Sequence, residues 1–96
     1  MKLVYSRRAL ADLEKIAAYY LEHASPTIAE SIGLQLARVI ERIVQTPDAA
    51  PRLSQRSRVR VATVVRYPYR IFYRTRDDTI DILHIRHTSR RPFEAK

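Results

Sequence analysis

Cysteine and tryptophan are absent from this chain of 96 residues, and glycine occurs once. Without cysteine there can be no disulfide scaffold, no thiolate metal site and no cysteine nucleophile. The same absence suits a reducing compartment, and a cytoplasmic protein is expected. No apolar stretch approaches the ~20 residues that cross a bilayer. The start, "MKLVYSRRALADLEK", meets charge too early for the apolar segment of a secretory leader. Neither a Walker loop nor a dinucleotide fingerprint occurs, and His23, His84 and His87 do not have zinc-ligand spacing. No cofactor and no metal are therefore expected. No pair of carboxylates is placed for general acid–base work, and nothing supports a serine triad.

Arginine is plentiful. The formal net charge is +8, and it is unevenly placed. Residues 1–48 carry six basic and six acidic side chains, whereas residues 49–96 carry twelve and four. Fifteen of the eighteen basic residues are arginine, whose planar fork matches carboxylate and phosphate better than a lysine point charge does. A basic half of this kind points to an anionic partner, either nucleic acid or an acidic protein segment. The plainer alternative is a solvated, charged sheet face. The hydrophobic fraction of 46% is that of a folded globular chain, and the length allows one domain over residues 1–96.

Apolar spacing gives the elements. "KLVY" (2–5) reads as a short strand, with Ser6 as the N-cap of a helix over residues 7–23. Leu10, Leu13, Ile16, Ala17, Tyr20 and Ala24 recur at steps of three and four and form its apolar stripe. Ser25-Pro26 restarts the helix, with Thr27 and Glu30 offering a competing capping box. Ile28, Ile32, Leu36, Val39, Ile40 and Ile43 carry the second stripe to Gln45, before Thr46-Pro47. Gly33 lies inside this helix, where close packing against a neighbour would explain it. After a Pro-containing loop (47–57) come three strand-like runs, 58–65, 66–76 and 79–86, the last two joined by a tight turn at Asp77-Asp78. The pattern predicts an α+β fold, β-α-α-β-β-β, with a helical hairpin packed on a small, mainly antiparallel sheet.

Alternation along "RYPYRIFYRTR" puts Tyr67, Tyr69, Ile71 and Tyr73 on the helix-facing side. Carried into the preceding run, it adds Val59, Val61 and Val65 to that side. The opposite face then holds Arg58, Arg60, Arg70, Phe72 and Arg74, with His84 and Arg86 joining by parity. His84 and His87, three apart on a strand, point to opposite faces. A face of arginines with a nearby histidine has the parts needed for RNA cleavage through a ribose 2′-hydroxyl: positive charge on the phosphate and a proton carrier. It is equally a surface for binding a partner, or for a basic nucleic-acid-binding module.

"YSRRALADLEKIAAYYLEH", the Pro47 loop, "RYPYRIFYR" and "IDILHIRHTSRRP", in this order, resemble the RelE/ParE superfamily of type II toxin–antitoxin toxins, and its ParE-like branch in particular. The resemblance covers nearly the whole chain. It implies a toxin neutralised by a cognate ParD-like antitoxin, with DNA gyrase as the target. The RelE-like branch implies instead a ribosome-dependent mRNA endonuclease. In that case Arg70, on the matching Tyr-Arg-x-x-Tyr pattern, and Arg90 would clamp phosphate, and His87 would carry the proton. Val61 and Thr63 stand where the nucleases keep lysines, and no tyrosine follows Tyr73. These departures favour the gyrase-directed branch. Arg58, Arg60, Arg70, Arg74, Arg86, Arg90 and Arg91 are the candidate residues for contact with target or partner.

Overall fold

The computed structural model describes residues 1–88. Within them the order is β1 (Lys2–Tyr5), α1 (Arg7–His23), α2 (Pro26–Gln45), β2 (Arg60–Thr63), β3 (Tyr69–Arg76) and β4 (Thr79–His87). The four strands form one mixed sheet in the order β1-β4-β3-β2. β1 runs parallel to β4, and the other two pairings are antiparallel.

Both helices start as their sequence dictates. Ser6 Oγ accepts the Ala9 N–H (2.9 Å) and itself donates to the Leu83 carbonyl (2.8 Å), so one hydroxyl caps α1 and ties it to β4. Ser25 caps α2 through the Ile28 N–H, with Pro26 in the first turn; Ser25, not Thr27, is the cap. Ile16 from α1 and Ile32, Leu36, Val39, Ile40 and Ile43 from α2 are buried against Tyr69, Ile71, Tyr73, Ile80, Ile82 and Ile85. Leu13 and Tyr20 pack on the edge of this core. Leu10 and Ile28, the first members of the two stripes, face solvent instead. Gly33 is also exposed, and a Cβ there would touch nothing. Close packing therefore does not account for the glycine.

Two departures in the strands reshape the faces. First, β2 is shorter than its run of alternation, and its parity is reversed. Arg60 pairs with Tyr73 and Ala62 with Ile71, so both lie on the helix side, while Val61 and Thr63 pair with Phe72 and Arg70 on the outer side. The core accordingly takes Val64 (4% exposed), and Val65 (62% exposed) is left in solvent. The Arg60 guanidinium is accommodated by donating to the carbonyls of Asp48 (3.1 Å) and Ala50 (2.6 Å) and by facing the Asp48 carboxylate. Second, the β3–β4 register jumps between Phe72↔His84 and Tyr73↔Ile82, leaving Leu83 without a counterpart. This bulge lets Ile82 and Ile85, three apart, both face the core.

Candidate target-binding face

Register defines the outer face of the sheet row by row. Thr63, Arg70 and Arg86 form one row across β2, β3 and β4, and Val61, Phe72 and His84 form the next. Arg74 and Asp81 follow toward the β3–β4 turn. Phe72 organises the middle of the face. The His84 ring stacks on it (centroids 5.7 Å apart, planes 23° from parallel), and the Arg86 guanidinium carbon lies 5.4 Å from its centroid. Arg70 sits directly opposite Arg86, an arrangement that costs free energy between like charges. Among the described residues no carboxylate pairs with Arg70, and its side chain is exposed.

His84 is held in place from α1. β1 pairs with β4 only as far as Ile82, so beyond that point no strand of the described residues lies along this edge of β4. Asp12 fills the gap. Its Oδ2 accepts the Ile85 N–H (2.9 Å) and lies 2.6 Å from His84 Nδ1. A helix side chain thus satisfies a strand N–H freed next to the bulge, and the same oxygen orients the imidazole.

Asp81 is the buried polar side chain of this region (6% exposed). It accepts from Arg76 Nε (2.7 Å) and Arg74 Nε (3.3 Å). Burial opposes its ionisation. The hydrogen bonds and charges of Arg76 and Arg74 outweigh that and hold the carboxyl below its usual range. Arg74 is therefore partly committed to an internal partner, unlike Arg70.

The candidate arginines fall into two groups. Arg70, Arg74 and Arg86 share the outer face. Arg60 turns to the helix side, and Arg58 accompanies it into a separate cleft. His87 pairs with Tyr69 and packs edge-on against its ring at 5.1 Å, so it lies on the face opposite Arg70. Tyr73 is buried, donating its hydroxyl to the Pro47 carbonyl (2.7 Å). Arg90 and Arg91 lie outside the described residues. Asp12 and Asp81 escape a reading by periodicity. In sequence Asp12 reads like any solvated carboxylate on the polar side of α1, and periodicity gives no signal for its contacts with β4.

The comparisons with known proteins agree with this architecture. The profile of the ParE toxin of type II toxin–antitoxin systems, parDE, matches residues 3–92. Toxin RelE2 of Caulobacter vibrioides is 33% identical over 93 residues, covering 93% of this chain and 97% of the relative. The structure of the chromosomal ParDE system from P. aeruginosa superposes with a TM-score of 0.82 at 28% identity, covering 93% of this chain and 97% of the other. The isolated E. coli RelE toxin shares the fold at 16% identity with a TM-score of 0.63, covering 98% of this chain and 90% of its own. Fold and sequence define a toxin of the RelE/ParE superfamily. The chain belongs to the ParE toxin family of type II toxin–antitoxin systems, whose members are paired with an antitoxin.

Proposed function

We propose that this toxin acts on DNA gyrase through the outer face of its sheet and is neutralised by an antitoxin of the ParD type. The observation that carries the reading is the separation of Arg70 from His87. Cleavage through a 2′-hydroxyl needs a phosphate clamp and a proton carrier at the same phosphate. Here the two lie on opposite faces of β3 and β4. Val61 and Thr63 supply no charge beside Arg70 and Phe72, and Tyr73 is closed off in the core. What is left on the face is a cationic surface around an aromatic ring, suited to binding.

One observation favours a second reading, mRNA cleavage on the ribosome. His84 shares the face with Arg70 and Arg86, and Asp12 orients its Nδ1. If RNA is cut, His84 rather than His87 carries the proton. The two readings separate in parallel assays of the purified toxin. Gyrase supercoiling should be inhibited, while mRNA on translating ribosomes should stay intact. Ribosome-dependent cleavage abolished by His84→Ala, with gyrase unaffected, would replace the first reading by the second.

A further inference from the structure

A second cationic site lies on the other side of the sheet. The loop 47–59 folds back along β2: the Val61 N–H donates to the Pro51 carbonyl (2.9 Å) and the Leu53 N–H to the Val59 carbonyl (2.7 Å). This covers the outer edge of β2 and gathers Arg52, Arg56 and Arg58 beside Arg60 in a cleft of about 400 Å³, with Thr75 of β3 also in its lining. Arg60 anchors the cleft through the carbonyls of Asp48 and Ala50. Asp48, the one acidic side chain in the lining among the described residues, faces Arg60 at 3.6 Å. The side chains of Arg52, Arg56 and Arg58 are exposed and make no hydrogen bond or ion pair among the described residues. Three arginines thus converge on one concavity without a counter-charge of their own.

We infer that this cleft binds the phosphate backbone of duplex DNA, independently of base sequence. Its lining is mainly arginine and hydroxyl, groups that contact phosphates and position a protein on a duplex, with one carboxylate, Asp48, turned to Arg60. Among the described residues no large apolar side chain lines it. A protein segment that folds on binding draws most of its affinity from buried apolar and aromatic anchors, and the cleft offers no pocket for one. A base-stacking platform for single strands would need exposed aromatics, and these too are missing from the lining. The site is distinct from the outer face, because Arg60 shares the side of Tyr73 while Arg70 and Arg86 share the other. It does not depend on gyrase being the target, since it concerns free DNA.

The test is the salt dependence of binding to a short labelled duplex, followed by fluorescence anisotropy with the purified toxin. Each neutralised phosphate contributes about 0.9 to the slope of log K against log salt. Arg52→Gln/Arg56→Gln/Arg58→Gln should make the slope shallower by about 2–3, and each single substitution by about 1. A control of equal charge change, Lys2→Gln/Lys15→Gln/Arg38→Gln, should leave the slope nearly as steep as in the wild type. An equal loss in both triple variants would reduce the effect to diffuse net charge and overturn the site. Binding of a poly-glutamate peptide but not of duplex would overturn it in favour of an acidic protein partner. Circular dichroism of every variant keeps unfolding from being mistaken for lost contacts, and the single substitutions decide the question if the triple fails to fold.

Discussion

Asp12 Oδ2 lies 2.6 Å from His84 Nδ1 and also accepts the Ile85 N–H, joining α1 to the bulged part of β4. Both side chains are mostly shielded from solvent. Asp12→Ala leaves a strand N–H and an imidazole without their acceptor, and should lower stability by about 1–3 kcal/mol. Asp12→Asn keeps an acceptor oxygen of the same reach and should cost less. Urea titrations of the three proteins give the comparison. Equal stability of all three would mean that the β4 edge does not need α1.

The Asp81 cluster gives a pH dependence with a definite sign. Its carboxyl titrates below the usual range in the folded protein, because the hydrogen bonds and charges of Arg76 and Arg74 outweigh the opposing effect of burial. A depressed folded value adds stability that is fully present above the unfolded carboxylate pKa of about 3.9 and is lost as pH falls through the folded value. Both arginines are about half exposed, so solvent screens the pair and the contribution is about 1 kcal/mol. Asp81→Asn should therefore be less stable than the wild type at neutral pH, with the gap narrowing in acid. Thermal melts across that range would read it, and a gap that widens in acid would contradict the assignment.

Gly33 offers a stabilising change. It lies within α2, and an added Cβ would meet no atom. Gly33→Ala should raise stability by about 1 kcal/mol through helix propensity alone. A neutral or destabilising result in urea titration would show that this position carries a constraint the isolated chain does not display.

Periodicity located the helices well because each stripe answers to one interface. Leu13, Ile16, Tyr20, Ile32, Leu36, Val39 and Ile40 all meet the sheet, and the serine caps mark both helix starts. The strands were harder for the same physical reason that makes register fragile: a slip of one residue exchanges the faces. In the run 58–65 three of the four valines (59, 61 and 65) share one parity, yet β2 takes the other, and carbonyls of residues 48 and 50 make the helix side tolerable for Arg60. In β4 parity places His84 and Arg86 on the outer face, where they lie opposite Phe72 and Arg70. Strict alternation would take Ile80 and Ile82 outward with them; the bulge at Leu83 keeps those two in the core, and no local signal in "TIDILHIR" announces it. The outer pairing of Arg70 with Arg86 was therefore legible and the bulge was not, and the cleft of Arg52, Arg56 and Arg58 was hidden in a loop without period.

In the proposed function, Arg70 meets the target from the outer face. The direct measurement is the concentration of purified toxin that half-inhibits gyrase supercoiling, for the wild type and for Arg70→Ala. The side chain is exposed and unpaired among the described residues, so the variant should fold normally and still be captured by its antitoxin. Loss of one charged contact worth about 1.5–3 kcal/mol should raise the half-inhibiting concentration at least tenfold. Inhibition by Arg70→Ala at the wild-type concentration, with the antitoxin complex intact, would contradict the assignment of this face to the target.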